Sequence, residues 1–139
     1  MDNFSFETRI RNSYHEGPAV CETSKIFILG TKGAFIIPFS IPGCVSDFNL
    51  MLNDKVLGGR TNDLSKFGTD LSEWTDVKLE VKNRKATIFL NNKIIREESY
   101  NNDAGEVAGM RFSFLGAGTV DHIRIKNTLG QIAYEEKFK

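Results

Sequence analysis

Five short segments in the C-terminal half alternate apolar and polar side chains, and this alternation narrows the chain to one class of fold. The first is Trp74-Thr-Asp-Val-Lys-Leu-Glu-Val-Lys82, and the others are residues 86–90, 93–100, 107–114 and 119–126. In a strand, successive side chains point to opposite faces, so a period of two gives each segment one wet face and one face that needs cover. Val77, Leu79 and Val81 fall on the covered face of the first segment, and Asp76, Lys78, Glu80 and Lys82 on the wet one. Asn91-Asn92 tolerates positive φ and suits a two-residue hairpin between the second and third segments. Met110, Phe112 and Phe114 continue the covered face, and Gly116-Ala-Gly118 turns the chain into a last segment that alternates through Asp121, Ile123 and Ile125.

The N-terminal half extends the same pattern. Phe4, Phe6, Thr8 and Ile10 share one face, with Ser5, Glu7 and Arg9 on the other. Residues 25–29 and 34–39 are almost continuously apolar around Gly30-Thr-Lys-Gly33, which predicts a hairpin of two strands covered on both faces. Pro38 and Pro42 push the second of these toward a sheet edge or an early end. Phe48, Leu50 and Leu52 then share a face, and residues 54–73 form the main polar loop, with a short helical turn around Asp63 to Phe67. Helical periodicity is sustained nowhere for three turns, and strands recur at the roughly 8 to 12 residue spacing of a sandwich. The fold class is all-β, an antiparallel two-sheet β-sandwich.

Size and charge bound the rest. The 139 residues are 40% hydrophobic, with eleven Phe, three Tyr and one Trp. That suffices for one core and falls short of two domains, so residues 1–139 read as a single domain. Eighteen basic and eighteen acidic residues cancel, and no block of like charges draws in a polyanion, so nucleic acid is not an expected partner. No apolar run reaches the roughly 18 to 20 residues of a bilayer span, so membrane insertion by this domain is not expected either. Strand patterns begin at Phe4 and run to Phe138, which suggests a domain cut from a longer protein. Cys21 and Cys44 are either independent small core residues or a disulfide; their spacing excludes a CxxC site. A bond between them would favour an oxidising compartment and add on the order of 3 kcal/mol.

The order Trp74-x-x-Val-x-Leu-x-Val81, Ile88-x-Leu-Asn91 and Gly109-x-x-Phe-x-Phe-x-Gly-x-Gly-x-Val-Asp-x-Ile-x-Ile125 resembles the concanavalin A-like lectin/glucanase and laminin-G-like jelly rolls. The resemblance covers the C-terminal half well and the N-terminal half in outline. It implies a jelly roll whose first and last strands, residues 4–10 and 132–138, pair with each other. It also implies a non-catalytic binding or adhesion module, with carbohydrate as the ligand, in an exported or cell-surface protein. Two alternatives are a structural or protein-interaction domain, which an exposed apolar patch or open edge (for example along residues 34–39) would favour, and a glycan-active enzyme.

Candidate site residues follow from what sugars need: planar amides and carboxylates for vicinal hydroxyls, and one aromatic platform. Asn49, Asn53, Asp54, Arg60, Asn62 and Asp63 supply the first, and Tyr100, Tyr14 and His15 the second. Trp74 could stack on a pyranose, but at the head of an alternating strand it reads as a core residue. Asp121 shares parity with Ile123 and Ile125, so it reads as a buried carboxylate latched by backbone N–H groups. Glu73 and Asp76 differ in parity and Glu97 and Glu98 are adjacent, so neither pair matches the facing carboxylates of a glycosidase. His15 and His122 lie too far apart in sequence to support a metal site or a triad. Asn101-Asn-Asp-Ala-Gly105 and Glu106 offer oxygen ligands for calcium but no twelve-residue register, and an Asn/Asp/Gly turn needs no ion. No cofactor is expected.

Overall fold

A computed structural model describes residues 3–12, 22–46, 48–115, 117–127 and 129–138. Its strands are β1 (Asn3–Asn12), β2 (Glu22–Gly30), β3 (Ala34–Ser40), β4 (Asn49–Leu52), β5 (Lys55–Gly58), β6 (Thr75–Lys82), β7 (Lys85–Leu90), β8 (Lys93–Ser99), β9 (Val107–Phe114), β10 (Gly118–Lys126) and β11 (Ile132–Lys137). A 3₁₀ turn, Ser65–Phe67, follows β5. The strands form two antiparallel sheets, in the order β11-β10-β1-β6-β7-β8 and β5-β4-β3-β2-β9. They pack face to face as a β-sandwich, as the alternation requires.

The core forms where the inward faces meet. Phe4, Phe6, Thr8 and Ile10 of β1 are buried, and so are Val77, Leu79 and Val81 of β6. Across the gap stand Ile26, Ile28, Phe35, Ile37, Leu50 and Leu52. Phe4 meets Phe35 at 5.8 Å between ring centroids and Phe6 meets Phe112 at 6.5 Å, which locks the two sheets together. Each fully buried side chain of this size stabilises by about 1.5–3 kcal/mol relative to exposure. Turn chemistry fixes the register of β6, β7 and β8. Asn91 and Asn92 sit at φ 48° and 66°, and Asn83 and Arg84 at 50° and 62°. Two positive φ values match the twist of a two-residue hairpin turn.

Four expectations are corrected. Residues 25–29 are not covered on both faces: Ile26 and Ile28 are buried, Phe27 is half-buried under Arg111 and Leu29 is exposed. Nor is β3 an edge, since it lies between β2 and β4; Pro38 is accommodated because β4 pairs only with Phe35 and Ile36, and the next bridge on that side, from Ser40 to Gly68, lies beyond Pro38. The 54–73 segment is not all loop. Residues 55–58 pair with β4, and Leu64, Phe67 and Leu71 are buried, Phe67 lying 6.4 Å from both Phe39 and Phe48. The first and last strands do not pair, because β10 stands between them.

Six strands over five leave the sheets unequal. β10 lies across from β9: Phe114 packs so close to Gly118 that a Cβ there would fall 1.9 Å from its ring, and Ile125 faces Val107 and Met110 across a cleft. β11 therefore extends past β9 with no opposing strand among the described residues, and every one of its side chains is exposed.

Candidate functional site

The residues expected to hold a ligand divide between the two ends of the β4–β5 hairpin, about 10 Å apart at some 3.4 Å per residue. At the turn end, Asn53 adopts φ 57° and is buried. Its Nδ2 donates to the Asn102 carbonyl, and its Oδ1 fills the space a side chain at Gly33 would need. Asp54 accepts from the Asn101 N–H and from Asn102 Nδ2, both at 3.0 Å. Tyr100 is only 4% exposed and stands edge-on to Phe35 at 5.5 Å. These three residues clamp the crossover from β8 to β9 onto the sandwich, and Lys32 N–H to Ala104 O at 3.0 Å secures its far side.

The other group sits where β5 ends. Asn62 Nδ2 donates to Gly58 O at 3.0 Å. Asp63 accepts from the Ser65 N–H at 3.1 Å, and hydrogen bonds from the Ser65 side chain and backbone hold its carboxyl below the usual range. Asn49 and Arg60 are exposed beside them. Tyr14 and His15 lie outside the described residues. The proposed calcium loop uses its own oxygens: Asp103 accepts from the Gly105 N–H at 2.9 Å, and that bond leads the lowering of its pKa. Among the described residues no three His, Cys, Asp or Glu side chains converge as metal ligands.

Trp74 is 38% exposed, not a core residue. The reason was present in its number: the buried positions of β6 are odd, so an even residue just before them faces out. It lies against Arg11, whose guanidinium stands 4.7 Å from the ring centroid. Asp121 is not a buried latch either. Arg9 pairs with His122 and Ile10 with Val120, so Asp121 is the extra residue of a β-bulge. Its side chain is 45% exposed and its Oδ2 lies 3.2 Å from His122 Nδ1.

These corrections gather polar groups on the outer face of the six-stranded sheet. Arg9 pairs with Asp76 at 2.9 Å, and that carboxylate leads the raising of the Arg9 pKa. The side-chain Oδ1 of Asn91 accepts from the Asp76 N–H at 2.9 Å, fixing the neighbouring turn. A hollow of about 250 Å³ opens here, its walls including Glu7, Asp76, Lys78, Phe89, Asn92 and His122. Lys78 covers Phe89 at 5.4 Å and reaches Glu80 at 3.4 Å, while Arg124 binds Glu135 at 2.6 Å and Glu7 at 3.4 Å. Positive and negative groups alternate across the face and offset each other. Exposed pairs of this kind add little stability each, so the lattice is better regarded as a hydrogen-bonding surface than as a source of stability.

Cys44 is half-buried and disulfide-bonded; Cys21, the other cysteine of the chain, lies outside the described residues. No protein-family model matches the chain, and a search of curated proteins finds no match.

Proposed function

We propose that the chain is a non-catalytic carbohydrate-binding module of an exported or cell-surface protein, built as a concanavalin A-like or laminin-G-like jelly roll. The observation that carries this reading is the exposed Trp74, on the same sheet face as Arg9, Asp76, Asn92 and His122. An indole face suits the apolar face of a pyranose ring, and guanidinium, carboxylate and amide groups suit its vicinal hydroxyls. Mutually compensated charges favour a neutral ligand over an ionic one. The disulfide at Cys44 supports an oxidising, extracytoplasmic setting. A binding role is favoured over hydrolysis because four carboxylates of this face, Asp76, Glu7, Glu80 and Glu135, are each engaged by a Lys or Arg, and Asp121 lies against His122.

The test is a polysaccharide and glycan panel, run with calcium and with chelator, on the wild type, Trp74→Ala and Arg60→Ala. Trp74→Ala should abolish the hit while costing less than about 1 kcal/mol of stability, as for an exposed site. Loss in Arg60→Ala alone would move the seat to the loop group of Asn49, Arg60, Asn62 and Asp63. Silence across the panel would remove the carbohydrate reading. The second reading, a protein-interaction domain, is favoured by the exposed Leu129, Ile132, Tyr134 and Phe138 in and beside β11.

A further inference from the structure

We infer that the cleft between β9 and β11 receives a single extended strand from a partner protein, which adds to the free edge of β9 beneath β11. The inference is independent of the carbohydrate reading and concerns a different surface. Three observations converge on it.

The first is an unused backbone ladder. Among the described residues β9 pairs only with β2. The N–H of Leu115, the residue after β9, donates to Thr23 O at 2.9 Å. Because antiparallel ladders alternate, the odd residues of β9 bond toward β2, and the N–H and C=O groups of Met110 and Phe112 point to the open side. An edge of this kind is a template for another strand.

The second is the shape of the cleft. Its volume is about 690 Å³, with Phe4, Val107, Met110, Ile125, Ala133 and Tyr134 in its walls. At about 3.4 Å per residue, 4.8 Å between strands and 10 Å between sheets, one strand residue fills roughly 160 Å³. The space therefore holds about four residues of one strand and makes the second sheet equal to the first. A second copy of this chain docking β9 against β9 does not fit. The overhanging β11 occupies the layer into which the copy's own β10 and β11 would have to extend.

The third is charge. Glu136 pairs with Ile123 in register and so shares the inward side of β11 with Tyr134. It has no ion-pair partner among the described residues. The entering strand should therefore be apolar at alternate positions and carry a basic residue facing Glu136.

The probe is a synthetic octapeptide of alternating valine and threonine with a terminal lysine, added to the intact 139-residue chain and followed by amide hydrogen exchange. Binding should slow exchange at Met110 and Phe112 by at least about tenfold. The same peptide N-methylated on its β9-facing edge should give no protection, and Glu136→Lys should weaken the lysine peptide several-fold. Tyr134→Asp, at an exposed position, should block the cleft while leaving the fold intact. Absence of protection, or equal binding by the N-methylated peptide, would overturn the inference. So would a concentration-dependent dimer by sedimentation that Tyr134→Asp dissolves, since the occupant would then be a second copy.

Discussion

The two lateral edges of the sandwich solve the same problem in opposite ways. At one, β5 and β8 stand opposite each other and side chains close the gap: Lys55 of β5 reaches Glu98 of β8 at 3.2 Å, and Arg96 on β8 itself holds that carboxylate at 2.5 Å. The nearby turn is fastened by Asn53 and Asp54, and Tyr100 seals the core beneath it. At the other edge β11 projects beyond β9, and Ile132 and Tyr134 remain exposed beside an open cleft. The sealed edge contributes to stability through these side-chain contacts, although β5 and β8 also end their sheets, whereas the open edge leaves a cleft between β9 and β11 to be filled from outside. Substitutions on the two sides should therefore differ in kind as well as in size.

The largest effect is expected at the sealed edge. Tyr100→Ala removes a buried ring packed on Phe35 and should cost about 3–5 kcal/mol in urea unfolding. A cost below 1 kcal/mol would show that the edge is not sealed by this ring. Asn53→Ala comes next. It puts alanine at φ 57° and leaves the Asn102 carbonyl without its donor, for an expected loss of about 1–3 kcal/mol. Asn53→Gly, which relieves the backbone but not the lost hydrogen bond, should recover part of that and so separate the two causes.

How far these roles could be read from the sequence depended on the physics behind each. Period-two alternation depends only on sheet geometry, so β1, β6 and β7 and their inward faces were readable, as were Ile123 and Ile125 of β10 and the hairpin at Asn91. Strand β5 was not, because four residues ending in Gly58, with Val56 facing solvent, give too short a pattern. The parity of Val77, Leu79 and Val81 places Trp74 outside, but its place at the head of an alternating strand, where a lone tryptophan usually fills a sandwich core, pointed the other way. Parity failed outright at Asp121, since a bulge inserts one residue and reverses the faces on either side of it. The polar residues Asn53 and Asp54 have the composition of a ligand site and the geometry of a clamp. Composition does not separate the two, because the same donors and acceptors serve a sugar or the Asn101–Asn102 backbone, and only the crossover path decides between them.

A smaller effect should appear with pH at the same sealed edge. Burial pushes the Glu98 carboxyl up, but hydrogen bonds from Arg96 and Lys55, with their charges, more than offset this and leave it below the ordinary value of 4.5. A depressed folded-state pKa contributes stability that is present above the unfolded value and lost as pH falls through the folded one. Unfolding free energy should therefore drop by up to about 1 kcal/mol more for the wild type than for Glu98→Gln between roughly pH 6 and pH 3. Parallel profiles would show that Glu98 does not tie the edge.

The smallest stability effect is expected at the open edge, where it is most informative. Tyr134→Ser removes a ring that lines the cleft but remains 39% exposed, with no opposing strand among the described residues to pack against. In the isolated chain its cost should be within about 0.5 kcal/mol, the range of ordinary surface positions. A saturating strand peptide stabilises the native state by its binding free energy, so wild type should gain stability in its presence and Tyr134→Ser should gain less. A residue nearly silent alone but decisive with peptide is an interface residue, whereas one that costs 2 kcal/mol or more alone already belongs to a packed core. In that case β11 would be held as firmly as β8, and the contrast between the two edges would disappear.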